Sequence, residues 1–462
     1  MGAPSGPAWK IECKIGDAGF DVGMWMQRFE WKSMLNGGYI IRAKVYDPQF
    51  QILDSVIEGG KKLLATGRQP DKLTLVEFKL IWATQPTMET KTRVALISDL
   101  HARGDDTFNG VFEFIAIDPI SYFINSGDAS GAAYTGKIGG KGGVIDKVLK
   151  DYVPPQIGGY STDFVVDETD DKESTYWMMR QDPKTFIASL LDWSCPFTKH
   201  KTAWVVANGQ DDDKKVSIEI KEAWTSKLDY PRPISGDDGP FVLFYSGGGT
   251  RDILKWEVLT DSFISALNIK ILTSGLSAVS GEYFDKITDK DKEQYVYIKD
   301  ENTSNKTNPK TTEKQSFTKP KSENGTVAGS GIPRPPSKRG WTHIIAVPEV
   351  GSASDIGHKY SRYIDGRARQ KYMEMLNMLF RIRVTARGQP RLFDSTELGR
   401  AKATLRWQGT DEKSGGGKVR FLDGDWLVYG WHHILVRDAS WTTDVYMARL
   451  DFDSASIPGS GG

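Results

Sequence analysis

Cysteine is nearly absent from this chain: Cys13 and Cys195 are its two examples in 462 residues. They lie far apart and lack metal-ligand spacing, so neither a disulfide framework nor a zinc site is expected. A reducing place of synthesis is. Histidine is scarce as well, and His101, His200, His343 and His358 show none of the local zinc spacings. No apolar run reaches the roughly eighteen residues of a membrane-spanning helix. The opening Met1-Gly2-Ala3-Pro4 has no basic and apolar leader, so no secretory signal is expected. Ser stands at position 5 rather than 6, which argues against myristoylation. Charge of one sign is also missing, because 60 Lys and Arg balance 60 Asp and Glu. That balance gives no long-range pull toward nucleic acid or an anionic membrane, and a chain near its isoelectric point suits an assembly.

What is present is aromatic and glycine-rich, with 14 Trp and 47 Gly. Large rings bury much area per residue, and glycines allow many turns. The organising stretch is the last eighty residues. Phe380–Thr385 alternates apolar with polar, a turn follows at Gly388-Gln389-Pro390, and Ala403–Gln408 is a further strand. Two long arms, Trp426–Val436 and Thr442–Asp451, close the segment. Period-two runs of this kind predict a twisted antiparallel sheet or barrel.

The length predicts two to four domains. Strands at Trp9–Ile15, Met24–Phe29, Gly38–Tyr46, Leu73–Thr84, Thr92–Asp99 and Gly110–Ile117, with a helix at Gln49–Ala65, make residues 1–125 a first tube-like β-barrel. Residues 126–200 read as a small mixed domain. It holds a Gly-rich loop at Ser126–Gly143, a helix at Val144–Asp151, and a second at Asp182–Trp193 with Asp182 as N-cap and Pro183 behind it. Residues 201–287 and 341–452 read as a second barrel, with a helix at Ser361–Asn377. Between them, 288–340 is a polar low-complexity insertion that cannot offset its own ordering entropy. Residues 453–462 read as a flexible tail. The expected class is mainly β with α+β parts: two related antiparallel barrels, a small α/β domain and a long loop insertion.

Signals of chemistry are weak. Gly131–Lys137 (GAAYTGK) has phosphate-loop spacing, but Ile138 stands where a Ser or Thr should hold magnesium, and glycines follow where a helix should open. His432 and His433 are neighbours in a strand, so they point to opposite faces and cannot share a metal. Asp423 and Asp425 could be imagined as a glycosidase pair, yet Asp-Gly-Asp is ordinary turn chemistry. Cys195 in Ser194-Cys195-Pro196 lacks a local partner, and no Gly-x-Ser-x-Gly elbow exists. Asn302, Asn305 and Asn324 begin glycosylation-type triplets in a linker where such triplets arise by chance. Arg362, Arg367, Arg369, Lys371, Arg381, Arg383 and Arg387 form a basic patch, read chiefly as a solvated face. No catalytic, cofactor-binding or metal-binding residue is expected, and no enzyme.

Two stretches nevertheless carry a likeness. Met179-Arg180-Gln181-Asp182-Pro183 leads into Phe186-Ile187-Ala188-Ser189-Leu190-Leu191 between two strand-rich halves. The closing Gly424-Asp425-Trp426-Leu427-Val428-Tyr429-Gly430-Trp431-His432-His433 is followed by Asp444-Val445-Tyr446-Met447-Ala448-Arg449-Leu450. This pattern resembles baseplate hub proteins of contractile-tailed bacteriophages, and the hub part of type VI secretion spike proteins. The resemblance implies a homotrimer whose paired barrels imitate a sixfold ring in the virion's tail baseplate, made in the host cytoplasm. Implied partners are the tail-tube protein, the central spike, baseplate wedge proteins and the tape-measure protein, with DNA met only in passage. No spike β-helix or lysozyme module is visible after Phe452, so a separate hub subunit is expected. A tail-associated glycan-binding protein and a cell-wall hydrolase stand as the alternatives.

Overall fold

The computed structural model describes residues 9–16, 20–35, 37–48, 50, 74–82, 88–104, 109–126, 131–169, 173–194, 205–210, 214–221, 240–246, 252–259, 270–275, 342–347, 381–394, 398, 401–407, 422–437 and 440–448. The expected helices at Gln49–Ala65 and Ser361–Asn377 and the 288–340 insertion lie outside these residues, Phe50 excepted.

Among the described residues the first part is strands and one 3-10 turn at Gly23–Trp25: β1 (Trp9–Ile15), β2 (Phe20–Asp21), β3 (Met26–Met34), β4 (Gly38–Pro48), β5 (Leu75–Trp82), β6 (Met88–Glu89), β7 (Arg93–Gly104) and β8 (Asn109–Ile117). A mixed module follows with α1 (Pro119–Ser126), β9 (Ala132–Gly136), α2 (Val144–Tyr152), β10 (Gln156–Ile157), β11 (Tyr160–Val166), β12 (Ser174–Met178), α3 (Pro183–Ser194), β13 (Val205–Gln210) and β14 (Lys215–Ile220). The rest comprises β15 (Val242–Ser246), β16 (Ile253–Val258), β17 (Lys270–Gly275), β18 (Thr342–Val347), β19 (Arg381–Arg387), α4 (Pro390–Asp394), β20 (Lys402–Trp407), β21 (Gly424–Val436) and β22 (Ser440–Ala448). The fold is mainly antiparallel β.

Alternation explains the strands. In β3 the residues Phe29, Trp31 and Ser33 are buried while Arg28 and Lys32 are exposed, and β22 alternates in the same way. Such a pattern fits a sheet with one face on a core and one face outward. Fourteen strands join in one sheet along the path β16-β19-β22-β21-β3-β4-β8-β7-β5-β1-β2, with β20 and β15 attached beside β21 and β6 beside β5, while β9–β14 and the pair β17-β18 form separate sheets. The link between the two halves is β3 against β21, from Gly430↔Met34 to Val436↔Arg28.

The sequence suggests two separate barrel cores, but the described strands of both halves share one. Trp31 lies at its centre, with ring centroids 4.3 Å from Phe393, 5.6 Å from His433, 6.1 Å from Phe78 and 6.1 Å from Trp431. Phe78 comes from the first half and Phe393, Trp431 and His433 from the last hundred residues, all buried. Rings packed at these separations add to the area they remove from water.

The mixed module has a second core around Ile120, Ile145, Leu149, Ile187 and Leu190. Asp182 caps α3 as expected, accepting the Thr185 N–H at 2.8 Å. Three elements differ from the sequence expectation. Asp118-Pro119 opens α1 rather than merely ending the sheet, with the Asp118 carboxylate accepting the Ser121 N–H at 2.8 Å. The stretch expected as loop contains β9, which pairs with β12, because Tyr134 and Tyr176 both bury one face in this core. Finally, β13 and β14, expected in the second barrel, join β11, and Val216, Ile218 and Ile220 are buried in the module.

The module is fastened to the sheet. Tyr160 Oη donates to Glu77 Oε1 at 2.9 Å. Gly38 has a φ of +64°, and a Cβ there would lie 2.2 Å from Ser121 Oγ, so the turn before β4 admits α1 only because it carries glycine. Because one aromatic cluster serves both halves, Phe393→Ala should cost about 3–5 kcal/mol. Denaturant unfolding followed by fluorescence should show a single transition moving to lower midpoint. Two transitions, with only one displaced, would show that the halves are energetically independent.

Candidate functional surface: the polar face of the sheet

Eight consecutive strands, β16, β19, β22, β21, β3, β4, β8 and β7, are antiparallel throughout. Residues directly opposite each other point to the same side, so the registers define rows across the sheet. One row on the outer face runs Lys255, Thr385, Asp444, His432, Lys32, Ile40. The next runs Arg387, Thr442, Ile434, Glu30, Arg42, Ile115, and a third carries Arg28, Lys44, Glu113 and His101.

Opposite charges meet along and between these rows. Arg28 Nε donates to Glu30 Oε1 at 2.6 Å, and His432 Nε2 lies 3.1 Å from Glu30 Oε2. Thr385 Oγ1 donates to Asp444 Oδ1 at 2.6 Å, and Arg383 donates to Glu257. Lys32 lies over the Tyr446 ring at 5.9 Å. Exposed pairs of this sort contribute about 0–1 kcal/mol each, so their consequence is mainly positional. Exposure differs from pair to pair: the Glu30 side chain is 17% exposed and that of Arg28 51%, whereas Glu257 at 43% is more exposed than Arg383 at 34%.

The two adjacent histidines part as expected. His432 joins the outer face, where burial and then Lys32 hold its pKa down while Glu30 and Asp444 oppose that shift. His433 is buried in the core, and desolvation pushes its pKa down to about 3. Thr443 Oγ1 accepts the Gln389 N–H at 3.0 Å and lies 2.9 Å from His433 Nδ1, while Trp441 Nε1 donates to the same nitrogen at 3.4 Å. Trp donors cannot accept, so the network assigns Nδ1 as acceptor and places the proton on Nε2.

The other sequence candidates have structural roles. The glycine-rich segment after β9 uses its own donors: Gly139 N–H goes to Thr169 Oγ1 at 2.7 Å, Gly140 N–H to the Asp167 carbonyl at 3.0 Å, and Gly142 N–H to Asp146 Oδ2 at 2.8 Å. A phosphate would find those positions taken. Asp423 accepts from Tyr245 Oη at 3.1 Å, and Asp425 accepts from Thr404 Oγ1 at 2.6 Å with Lys402 at 3.6 Å. Of the basic patch, Arg381, Arg383 and Arg387 line the outer side of β19, whereas Arg362, Arg367, Arg369 and Lys371 lie outside the described residues, as does Cys195. Among the described residues, no group of His, Cys, Asp and Glu could hold a metal ion, and no helix is long and apolar enough to cross a membrane. What sequence reading missed is the face itself. The alternating Arg28, Glu30 and Lys32 signal it, but their partners come from the far end of the chain.

Comparison with solved structures places this architecture. A tail protein from Neisseria meningitidis MC58 superposes with a TM-score of 0.50 over 96% of this chain and 96% of that one, at 8% identity. The chain shares the fold of that tail protein. A Francisella PdpA-VgrG complex in its lidded form matches with a TM-score of 0.50 and 11% identity, over 96% of this chain and 53% of that chain. The half-lidded form of the same complex matches at 0.50 and 9% identity, over 96% of this chain and 58% of that chain. No family model matches the sequence, and no curated protein does. The same fold is therefore carried here by a sequence with few of the same residues.

In this fold His433 is a built-in acid sensitivity. Its folded pKa near 3 lies below the roughly 6.5 of an unfolded histidine. Stability is therefore full above about pH 6.5 and is lost as pH falls from there toward 3, at up to about 1.4 kcal/mol per unit. The difference in unfolding free energy between the wild type and His433→Phe, measured from pH 7 to 4, should change with that slope. A pH-independent difference would mean that the imidazole is not held neutral.

Proposed function

We propose that this chain is a structural subunit of a tail baseplate hub, in which three copies close a ring between the tail tube and the central spike. Each copy contributes two tube-like lobes, one from the strands before Asp118 and one from those after Phe241, with the mixed module outside them. The eight-stranded face lines the channel through which the genome passes, and the tube, spike, wedge and tape-measure proteins are the neighbours. The role is architectural rather than enzymatic, and its place is the virion tail.

One observation carries this reading: within the larger sheet, eight successive antiparallel strands from β16 to β7 are apolar on one side and polar on the other, with β16 ending the path and β7 passing on to β5 only through Arg93–Leu96. An even number of alternating strands makes the two end strands run oppositely. A head-to-tail contact between copies then continues the antiparallel pattern, and cyclic closure removes the edges that would otherwise aggregate. The β7 end is suited to it. Its first residues, Arg93–Leu96, pair with β5, while Asp99–Gly104 pair with β8 alone among the described residues. Charge complements this edge. Asp99 and Arg103 project from β7, and Lys255 and Glu257 from β16, so antiparallel registers exist that set Lys255 against Asp99 or Glu257 against Arg103.

The test is assembly of the purified chain, by sedimentation velocity and electron microscopy, with His101→Pro and Ala102→Pro alongside. Successive N–H groups point to opposite edges of a strand, so one of these prolines meets β8 and the other meets only the open side. A three-copy ring with a central channel is expected from the wild type. The proline variant that meets only the open side should keep its melting temperature and stay monomeric. A wild type that remains monomeric at tens of micromolar would end the ring reading.

A further inference from the structure

The whole chain is neutral, yet the outer layer of the eight-stranded face is not. Six of its exposed residues are cations, Arg28, Lys32, Arg42, Arg103, Arg387 and Lys255, against two exposed carboxylates, Asp99 and Glu113. The remaining acids, Glu30, Glu257 and Asp444, are half-buried, as are the further cations Lys44, Arg381 and Arg383. Cations therefore outnumber carboxylates on this face although the whole sequence is balanced. Arg42 and Lys32, near the middle, form no ion pair among the described residues.

We propose that this face binds the phosphate backbone of double-stranded nucleic acid without sequence preference. Charge complementarity selects the class of partner. Residues two apart on a strand repeat at about 6.8 Å, and strands lie about 4.8 Å apart, giving a shallow grid of cations with no groove. Among its described residues Ile40 stands exposed, while Ile115 and Ile434 are half-buried. A protein segment would need apolar anchors or pockets, which such a grid does not supply. A duplex presents about one negative charge per 1.7 Å of axis and needs only matching charge. Base edges are not read, because nothing on the face projects far enough to enter a groove. The surface shares its residues with the channel wall proposed above but depends on their charge, not on ring closure.

Fluorescence anisotropy of the full chain with a labelled duplex of about 25 base pairs tests this directly. Binding at 50 mM salt is expected to weaken by roughly a hundredfold at 200 mM, the slope for about four phosphates. Lys32→Glu combined with Arg42→Glu should weaken binding at 50 mM salt at least tenfold and flatten the salt dependence. Arg180→Glu, on the exposed end of the mixed module, should leave it unchanged, and melting curves of all three should coincide. No binding at 50 mM salt, equal loss in the Arg180 variant, or tight binding of poly-glutamate without binding of DNA would each overturn the proposal. Ring formation without DNA binding removes this inference alone. DNA binding by a chain that forms no ring removes the hub reading alone.

Discussion

The packing of Trp31 against Phe393, His433 and Trp431 is the constraint on which the rest of the structure depends. It joins a strand near the start of the chain to one near its end, and thereby makes two lobes into one body. The cost is visible in the same place. Trp31 Nε1, Trp431 Nε1 and His433 Nε2 are buried with no hydrogen-bond partner among the described residues. Each such donor forgoes about 1–3 kcal/mol of solvation. The cluster tolerates this because its rings remove large areas from water and hold the β3–β21 register against slippage, which would turn every side chain to the wrong face.

Register then determines the outer face. Once Trp31 and His433 point inward, Glu30, Lys32 and His432 must point outward, and their cross-strand neighbours follow. The polar surface is therefore a by-product of core packing in its position, and an independent feature in its charge. Bulges adjust the detail. Between Val428 and Gly430 the β21 register slips against β22, and a Cβ at Gly430 would lie 2.4 Å from Met34 Sδ, so the glycine lets the two halves approach.

Much of this was legible in the sequence because alternation is local. Strands such as Trp9–Ile15 and the two closing arms, the α3 cap at Asp182, and the opposite facing of His432 and His433 all follow from neighbours within a few residues. What was not legible depends on distant partners. β9 carries an Ala-Ala-Tyr-Thr-Gly sequence with weak strand preference, and forms because Tyr134 meets Tyr176 on β12. The membership of β13 and β14 in the mixed module is decided by β11, not by their own alternation. Likewise, a glycine-rich stretch with phosphate-loop spacing is disarmed by Thr169, Asp167 and Asp146, whose contacts no local pattern announces.

The His432–Glu30 contact joins residues 402 positions apart. A ribosome adding about 5–20 residues per second delivers the second of them roughly twenty to eighty seconds after the first. Throughout that interval β3 has one flank with no strand to receive it, beside the apolar side chains destined for the core. The fold thus cannot be completed from its beginning, and the N-terminal lobe must remain soluble in an unfinished form until the last hairpin emerges.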